Sequence, residues 1–560
     1  MHLKVDPTGP GIKILNWWSQ FGLENDKTWI RALIVILLLS FTVPVLAPLN
    51  HDVGWHLYAA ERILAGDRLY VDLIEYNPPF VYYFNVPVVA LAQMVGIPAS
   101  TAFLSLVILL ALVLYYFSFR LLSMVAQNLA TSVPRVLLLS FICLTVPYVA
   151  FEFGQREHLL VLLLFPYVLI LAARILKRPL PGWMPLAAGL TGAIGLAFKP
   201  QFLLVWLLLE TYAWAWEGIK PPWRRQESLL VCSFFFLYGL SVVLFMRDYF
   251  SVIEMAASTY PNFDTSPWEN LGHSARFPLL ALAAYLVIRS NQKNRVLCRL
   301  LLFSMLGSWA IAVASQKGWF YHFIPAHVFA ALLLVLLLMS LVDTRQEACI
   351  PIWEYAPLDK PVLSLGNVNE INPYQRFISF VVLVFFLNLT TNQVHRVSLR
   401  LGSSEYSTEG QIVELIRNEG TRQNILFFST SMFPAFPVVN RTQSRWGMRF
   451  PFLWFIPGLY PAGFIPRTED SMSETERHFF QQIVDDFLAN SPQFVFTDDR
   501  IKKQGIGENA FDYLDYFSQD PRFAEDWKNH RLMTIAGTYR VFRRDDARGE
   551  DSVPGQEGTL

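Results

Sequence analysis

The sequence predicts a polytopic α-helical membrane protein of about 11 spans with in-plane helices and a C-terminal extracytoplasmic α/β domain. Three observations predict it. Of 560 residues, 53% are hydrophobic and 16% charged. The apolar residues fall into uncharged runs long enough to cross about 30 Å of hydrocarbon as helices. Beyond about Ser398 the composition shifts to short alternating helix and strand patterns.

Residues 1–30 read as a cytoplasmic amphipathic segment with Trp17, Trp18 and Phe21 at the interface. No short apolar core with a small-residue cleavage site stands at the N-terminus, so the run from Ala32 to Leu49 reads as a retained signal anchor. Further runs lie near 81–97, 101–119, 136–151, 159–173, 183–198, 200–216, 228–246, 277–288, 300–316, 323–342 and 377–394. The basic clusters Lys4–Arg31, Arg120–Arg135, Arg174–Arg178, Lys220–Arg225 and Arg289–Arg299 belong in the cytoplasm. Placing all five there requires that 81–97, which carries Asn85, Pro87 and Gln93 between Pro79 and Pro98, lie on the surface or re-enter. The remaining runs then alternate across a transmembrane domain of residues 31–396. The unusual polar clusters all fall on the outer face: Asp52–Asn77, Glu152–His158, Lys199, Asp248–Arg276, Lys317–His327 and everything after about residue 395.

The outer domain, 397–545, is expected to carry helices at Glu409–Asn418 and from Ser473, where a capping box ends at Glu476. Asp512–Phe517 and Phe523–His530 also read as helical. Asn424–Ser429, Gln493–Thr497 and Leu532–Phe542 read as strands. Ser429–Arg449, with Asn440, Arg441, Arg445 and Arg449 among aromatics and prolines, reads as a solvated loop, with sugar or phosphate contact the alternative. The Gly-rich, charged tail 546–560 is expected to be disordered. Forty-five basic residues balance 45 acidic ones without any long basic tract, so nothing suggests a nucleic-acid partner. Cys143, Cys232, Cys298 and Cys349 lie in or beside apolar runs or in a cytoplasmic loop, which speaks against a disulfide framework.

The chemistry lies where charge meets the membrane. Asp52, in Asn50-His51-Asp52-Val53-Gly54-Trp55-His56, follows the first apolar run directly. An ionisable group at mid-bilayer costs roughly 2.5–3.5 kcal/mol, and less near the interface, so one kept there usually serves a function. An aromatic stretch follows, ending at Glu75-Tyr76-Asn77-Pro78-Pro79. A second motif, Phe151-Glu152-Phe153-Gly154-Gln155-Arg156-Glu157-His158, leads into an apolar run. There Arg156 suits bidentate phosphate recognition, and an ion pair with Glu152 or Glu157 is the structural alternative. The third is Ser315-Gln316-Lys317-Gly318-Trp319-Phe320-Tyr321-His322-Phe323-Ile324-Pro325-Ala326-His327, and Lys199 before Pro200 is a further cationic candidate.

The pattern of a carboxylate after the first span, an in-plane helix and a polar-Pro-Pro step resembles the GT-C glycosyltransferases. These include the protein O-mannosyltransferases, the lipid A aminoarabinose transferases and the rhizobial lipopolysaccharide sugar transferases. The resemblance implies a GT-C fold and assigns catalytic roles to Asp52, as general base, and to Glu157, as the second acid. It also implies that Lys317 and His322, with Arg156 and Lys199, meet the donor phosphate. Trp55, His56, Glu75, Tyr76, Asn77 and Glu152 are candidate substrate contacts. One departure is that His51 and Val53 flank Asp52, where the mannosyltransferases follow their Asp with Glu.

No Gly-rich phosphate loop or dinucleotide fingerprint appears, so a soluble nucleotide donor is not indicated. A site facing outward must draw its donor from the membrane, and a polyprenyl-phosphate sugar fits. The expected reaction transfers that sugar to a hydroxyl of an extracytoplasmic lipid, glycan or protein, inverting the anomeric centre. Asp52 and Glu157 together could hold a divalent metal, but no pattern compels one and no metal or cofactor is assigned. The expected setting is a bacterial inner membrane, with the site on the periplasmic side. The rivals are a transporter or flippase of lipid-linked saccharide, which would place its charges at the midplane in matching halves, and a polysaccharide ligase or polymerase.

Overall fold

The computed structural model describes residues 26–126, 132–259, 266–288, 294–348, 407–420, 422–460, 468–507 and 511–545. Within them every apolar run read from the sequence is helical, because a chain in hydrocarbon must satisfy its own N–H and C=O groups. Six helices are long and apolar enough to span: Trp29–Leu46, Ala99–Val125, Arg156–Ile175, Gln226–Phe245, Arg295–Ala314 and Phe320–Ser340. Phe80–Val95, Val133–Thr145, Trp183–Phe198 and Arg276–Ile288 are shorter apolar helices. The run 81–97 is one of these, with Pro87 inside it. At 1.5 Å per residue its 16 residues reach about 24 Å, less than the hydrocarbon thickness. The segment 1–25, the run 377–394 with its surroundings, and the tail 546–560 lie outside the described residues.

The chain divides into two compact units. The first comprises the described parts of Met1–Ala47, Leu104–Gly239 and Thr265–Leu399. The Arg156–Ile175 and Phe320–Ser340 helices form its centre, with 89% and 83% of their apolar windows buried. Trp29–Leu46 is only 17% buried, and its outward side chains are apolar, as a lipid-facing helix requires. Arg156–Ile175 and Trp183–Phe198 approach closely because glycines line the second: a Cβ at Gly195 would stand 2.9 Å from that of Leu163. A buried network of Arg174, Arg225, Glu210, Glu227, Tyr167 and Ser228 ties three helices together. Every charge in it is paired, as low dielectric demands.

The second unit comprises the described parts of Pro48–Phe103, Leu240–Asp264 and Arg400–Leu560. Its sheet is built from β1 (Asn424–Phe428), β2 (Arg445–Trp446), β3 (Phe494–Asp498), β4 (His530–Ala536) and β5 (Tyr539–Arg544), in the order β2-β1-β3-β5-β4. The first three strands are parallel, and β5 runs antiparallel to β3 and β4. β1 is apolar throughout its buried length and β3 over Phe494–Phe496, as strands covered on both faces are.

Two sequence expectations change here. Leu532–Phe542 is a hairpin rather than one strand, turning at Gly537, whose φ of +59° favours glycine. Ser429–Arg449 is a built part of the domain rather than a solvated loop. It carries the Ala435–Thr442 helix and β2, and Phe436, Val438, Val439 and Trp446 are buried. Its face packs on the His51–Leu64 helix, so the first-loop helix and the C-terminal sheet share one compact unit.

Candidate active site

In the second unit, Asn50 caps the His51–Leu64 helix: its Oδ1 accepts from the Asp52 N–H at 2.9 Å and the Val53 N–H at 3.5 Å. Asp52 therefore sits in the first helical turn, where the helix dipole favours a carboxylate. Its side chain is 13% exposed, and His51 Nε2 lies 3.5 Å from its Oδ1. Trp55 and His56 point into the unit's interior, Trp55 edge-on to Phe436 at 5.4 Å and His56 edge-on to Tyr82 at 5.3 Å. Glu75 is buried, and its Oε1 accepts from the Tyr76 N–H at 2.9 Å and Asn77 Nδ2 at 3.0 Å. Tyr70 donates to the Asn77 carbonyl at 2.7 Å, and Tyr76 meets Trp454 edge-on. The polar-Pro-Pro step is thus a rigid turn organised by one buried carboxylate.

In the first unit, residues from three distant stretches converge on Glu157. The Arg156–Ile175 helix begins where Gly154 turns the chain with φ +87°, and its first residues Arg156, Glu157 and His158 are all buried. Glu157 has no exposed surface, and Lys199 Nζ lies 2.5 Å from its Oε1. Lys199 reaches it because Pro200 ends the preceding helix and holds Lys199 in an extended conformation. The ammonium also lies 5.4 Å from the centre of the Tyr321 ring. His322 Nε2 stands 4.0 Å from Glu157 Oε1. Ser315 donates to the Ala312 carbonyl at 2.7 Å, and its Oγ stands 2.9 Å from His322 Nδ1, a contact that holds the ring with Nε2 toward Glu157. Gly318, at φ +65°, makes the turn that carries the half-buried Lys317 between two long helices.

Of the candidate residues, Lys199 and His322 are thus brought to Glu157, with Arg156 its neighbour at the start of the same helix and Lys317 on the turn that precedes His322. Glu152 lies nearby in chain, on the 3-10 turn Ala150–Glu152, and is half-buried. Asp52, Trp55, His56, Glu75, Tyr76 and Asn77 belong to the second unit. The sequence singled out neither Ser315 as the orienting partner of His322 nor Asn440 as a donor to the Gly54 carbonyl. Only the segment strings hinted at them. Among the described residues no three His, Cys, Asp or Glu side chains gather as a metal-binding set.

Fold and buried charge together define a membrane protein of GT-C glycosyltransferase-like fold with a small C-terminal sheet domain. The chain is similar to the crystal structure of ArnT from Cupriavidus metallidurans bound to undecaprenyl phosphate, with a TM-score of 0.52 and 14% identity over 92% of this chain and 98% of that one. The apo-state structure of ArnT from the same organism aligns at a TM-score of 0.48 and 12% identity, over 92% of this chain and 96% of that one. No protein-family model and no curated protein matches the sequence. At this identity the likeness establishes the fold, which meets the expectation drawn from the three motifs.

Proposed function

We propose that the protein is a membrane glycosyltransferase that moves a sugar from a polyprenyl-phosphate donor to a hydroxyl of an extracytoplasmic lipid, glycan or protein. The observation that carries this reading is the buried Glu157 with Lys199 at 2.5 Å and His322 at 4.0 Å, Arg156 beside it in the chain and Lys317 on the turn before His322, in a GT-C-like fold. Cations held in a low-dielectric setting are suited to the charge that develops on a departing phosphate. The similar ArnT structure was solved with undecaprenyl phosphate, a donor-type lipid of this chemistry.

In the reaction, the acceptor oxygen bonds to the anomeric carbon as the bond from that carbon to the phosphate oxygen breaks. Asp52 takes the hydroxyl proton, and the lipid leaves as polyprenyl phosphate. Displacement in one step inverts the anomeric centre. Glu157 keeps Lys199 in place for the phosphate. The setting is a bacterial inner membrane, with Asp52 and the C-terminal domain on the periplasmic side.

The test is turnover of the purified full-length protein in vesicles carrying undecaprenyl-phosphate sugars, read as released undecaprenyl phosphate. Asp52→Asn should lower kcat by about 10²–10⁴-fold, the range of general-base catalysis, with an unchanged melting temperature. Full turnover by a folded Asp52→Asn protein would remove the proposal.

A further inference from the structure

We propose that Asn440 of the C-terminal α/β domain is a positioning residue for Asp52, acting through the backbone of Gly54. The inference rests on the reading of Asp52 as general base, and concerns what sets that base in place.

Asn440 Nδ2 donates to the Gly54 carbonyl oxygen at 3.0 Å, across 386 residues of chain. Gly54 lies two positions after Asp52 in the same helix, so moving its carbonyl moves the carboxylate too. Glycine is a poor choice inside a helix, and the contact explains its presence. A Cβ at position 54 would stand 2.7 Å from Asn440 Oδ1 and 3.2 Å from Phe436 Cβ. A side chain there would have to displace the Asn440 amide from its place against the Gly54 carbonyl and press on Phe436.

Three further ties bind the same surfaces. The Trp446 N–H donates to Tyr58 Oη at 3.0 Å, the Ile74 N–H donates to the Arg449 carbonyl at 2.8 Å, and Trp55 lies edge-on to Phe436. Arg449 is itself clamped by Asp486 through both Nε and Nη2. These contacts hold the two surfaces together, while the Asn440 amide is the group among them that hydrogen-bonds to the turn following Asp52. A catalytic group displaced by about 1 Å can cost two orders of magnitude in rate, so a contact that only fixes position still governs turnover.

Asn440→Asp keeps the volume and removes the donor, Asn440→Ala removes both, and Gly54→Ala crowds the joint. All are made in the full-length protein and assayed in the same vesicles. We expect Asn440→Asp and Gly54→Ala to lower kcat at least tenfold while KM for undecaprenyl-phosphate sugar stays within twofold. Amides 52–58 should exchange at least tenfold faster, with amides 424–428 and 494–498 unchanged. The Gly54→Ala/Asn440→Ala double variant should lose much less than the product of the two single losses, because shortening residue 440 relieves the crowding. Native kcat in Asn440→Asp would overturn the inference, as would equal loosening of the β1 and β3 amides, which marks a merely structural role. If Asp52→Asn is inactive and Asn440→Asp turns over normally, positioning alone fails. If Asp52→Asn itself turns over normally, the base assignment fails and the inference with it.

Discussion

Glu157 and Lys199 are each almost without exposed surface and pair directly, so removing either strips a buried charge of its ion-pair partner. Glu157→Gln or Lys199→Met should each cost about 3–5 kcal/mol in denaturant unfolding of the detergent-solubilised protein. The double variant Glu157→Gln/Lys199→Met should recover at least half of either loss, since no lone charge remains. Two single costs that simply add would show that the pair is not coupled. The sequence displayed both residues as charges at apolar boundaries. It could not display their pairing, because Pro200 and a helix junction, not a spacing rule, bring Lys199 to Glu157. The same holds for His322, whose orientation depends on a hydroxyl at Ser315 that reads as ordinary in the sequence.

At the scale of elements, the first turn of the His51–Leu64 helix depends on its cap. Asn50→Ala should destabilise that turn by about 1 kcal/mol, while Asn50→Asp or Asn50→Ser should largely restore it, as amide exchange at residues 52–55 would register. Equal exchange in all variants would show the cap to be idle. On the opposite side of the sheet, His530 is buried against Trp527, with Nε2 facing the Pro492 carbonyl at 3.0 Å, and burial pushes its pKa below the ordinary 6.5. The folded state thus binds fewer protons there than the unfolded state. The stability it contributes is complete above about pH 6.5 and is lost as the pH falls through that value toward the folded pKa. Melting temperature should accordingly drop more between pH 7.5 and 5.5 in the native protein than in His530→Gln; parallel curves would refute the assignment. Long elements were legible because period and caps agree: Ser473 and Asp512 cap helices where the sequence put helix starts. β2 was not, since two residues carry no periodicity. The β4–β5 hairpin was missed because Gly537 and Thr538 interrupt an otherwise strand-like run, and one glycine in such a run equally signals a bulge.

At the scale of the whole molecule, the alternation of basic clusters predicts that Arg68 and Lys528 face the periplasm and Lys177 the cytoplasm. All three are exposed. With Cys143, Cys232, Cys298 and Cys349 replaced by Ser, a cysteine at 68 or 528 should react with a membrane-impermeant maleimide added to spheroplasts. One at 177 should react only after lysis. Labelling of 177 together with 68 would break the predicted orientation. Fold class was legible at this scale because hydrocarbon thickness fixes helix length. The division into units was not, because the Asn440 and Gly54 surfaces meet across most of the chain.

That separation gives the molecule a clock. Ribosomes add about 5–20 residues per second, so the segment bearing Asp52 emerges roughly 20–80 s before the surface that braces it, given the 386 residues between Gly54 and Asn440. During that interval the first loop is already beside the membrane and its carboxylate is not yet set. A chain cut short before residue 440 would carry Asp52 without the amide that braces the Gly54 carbonyl.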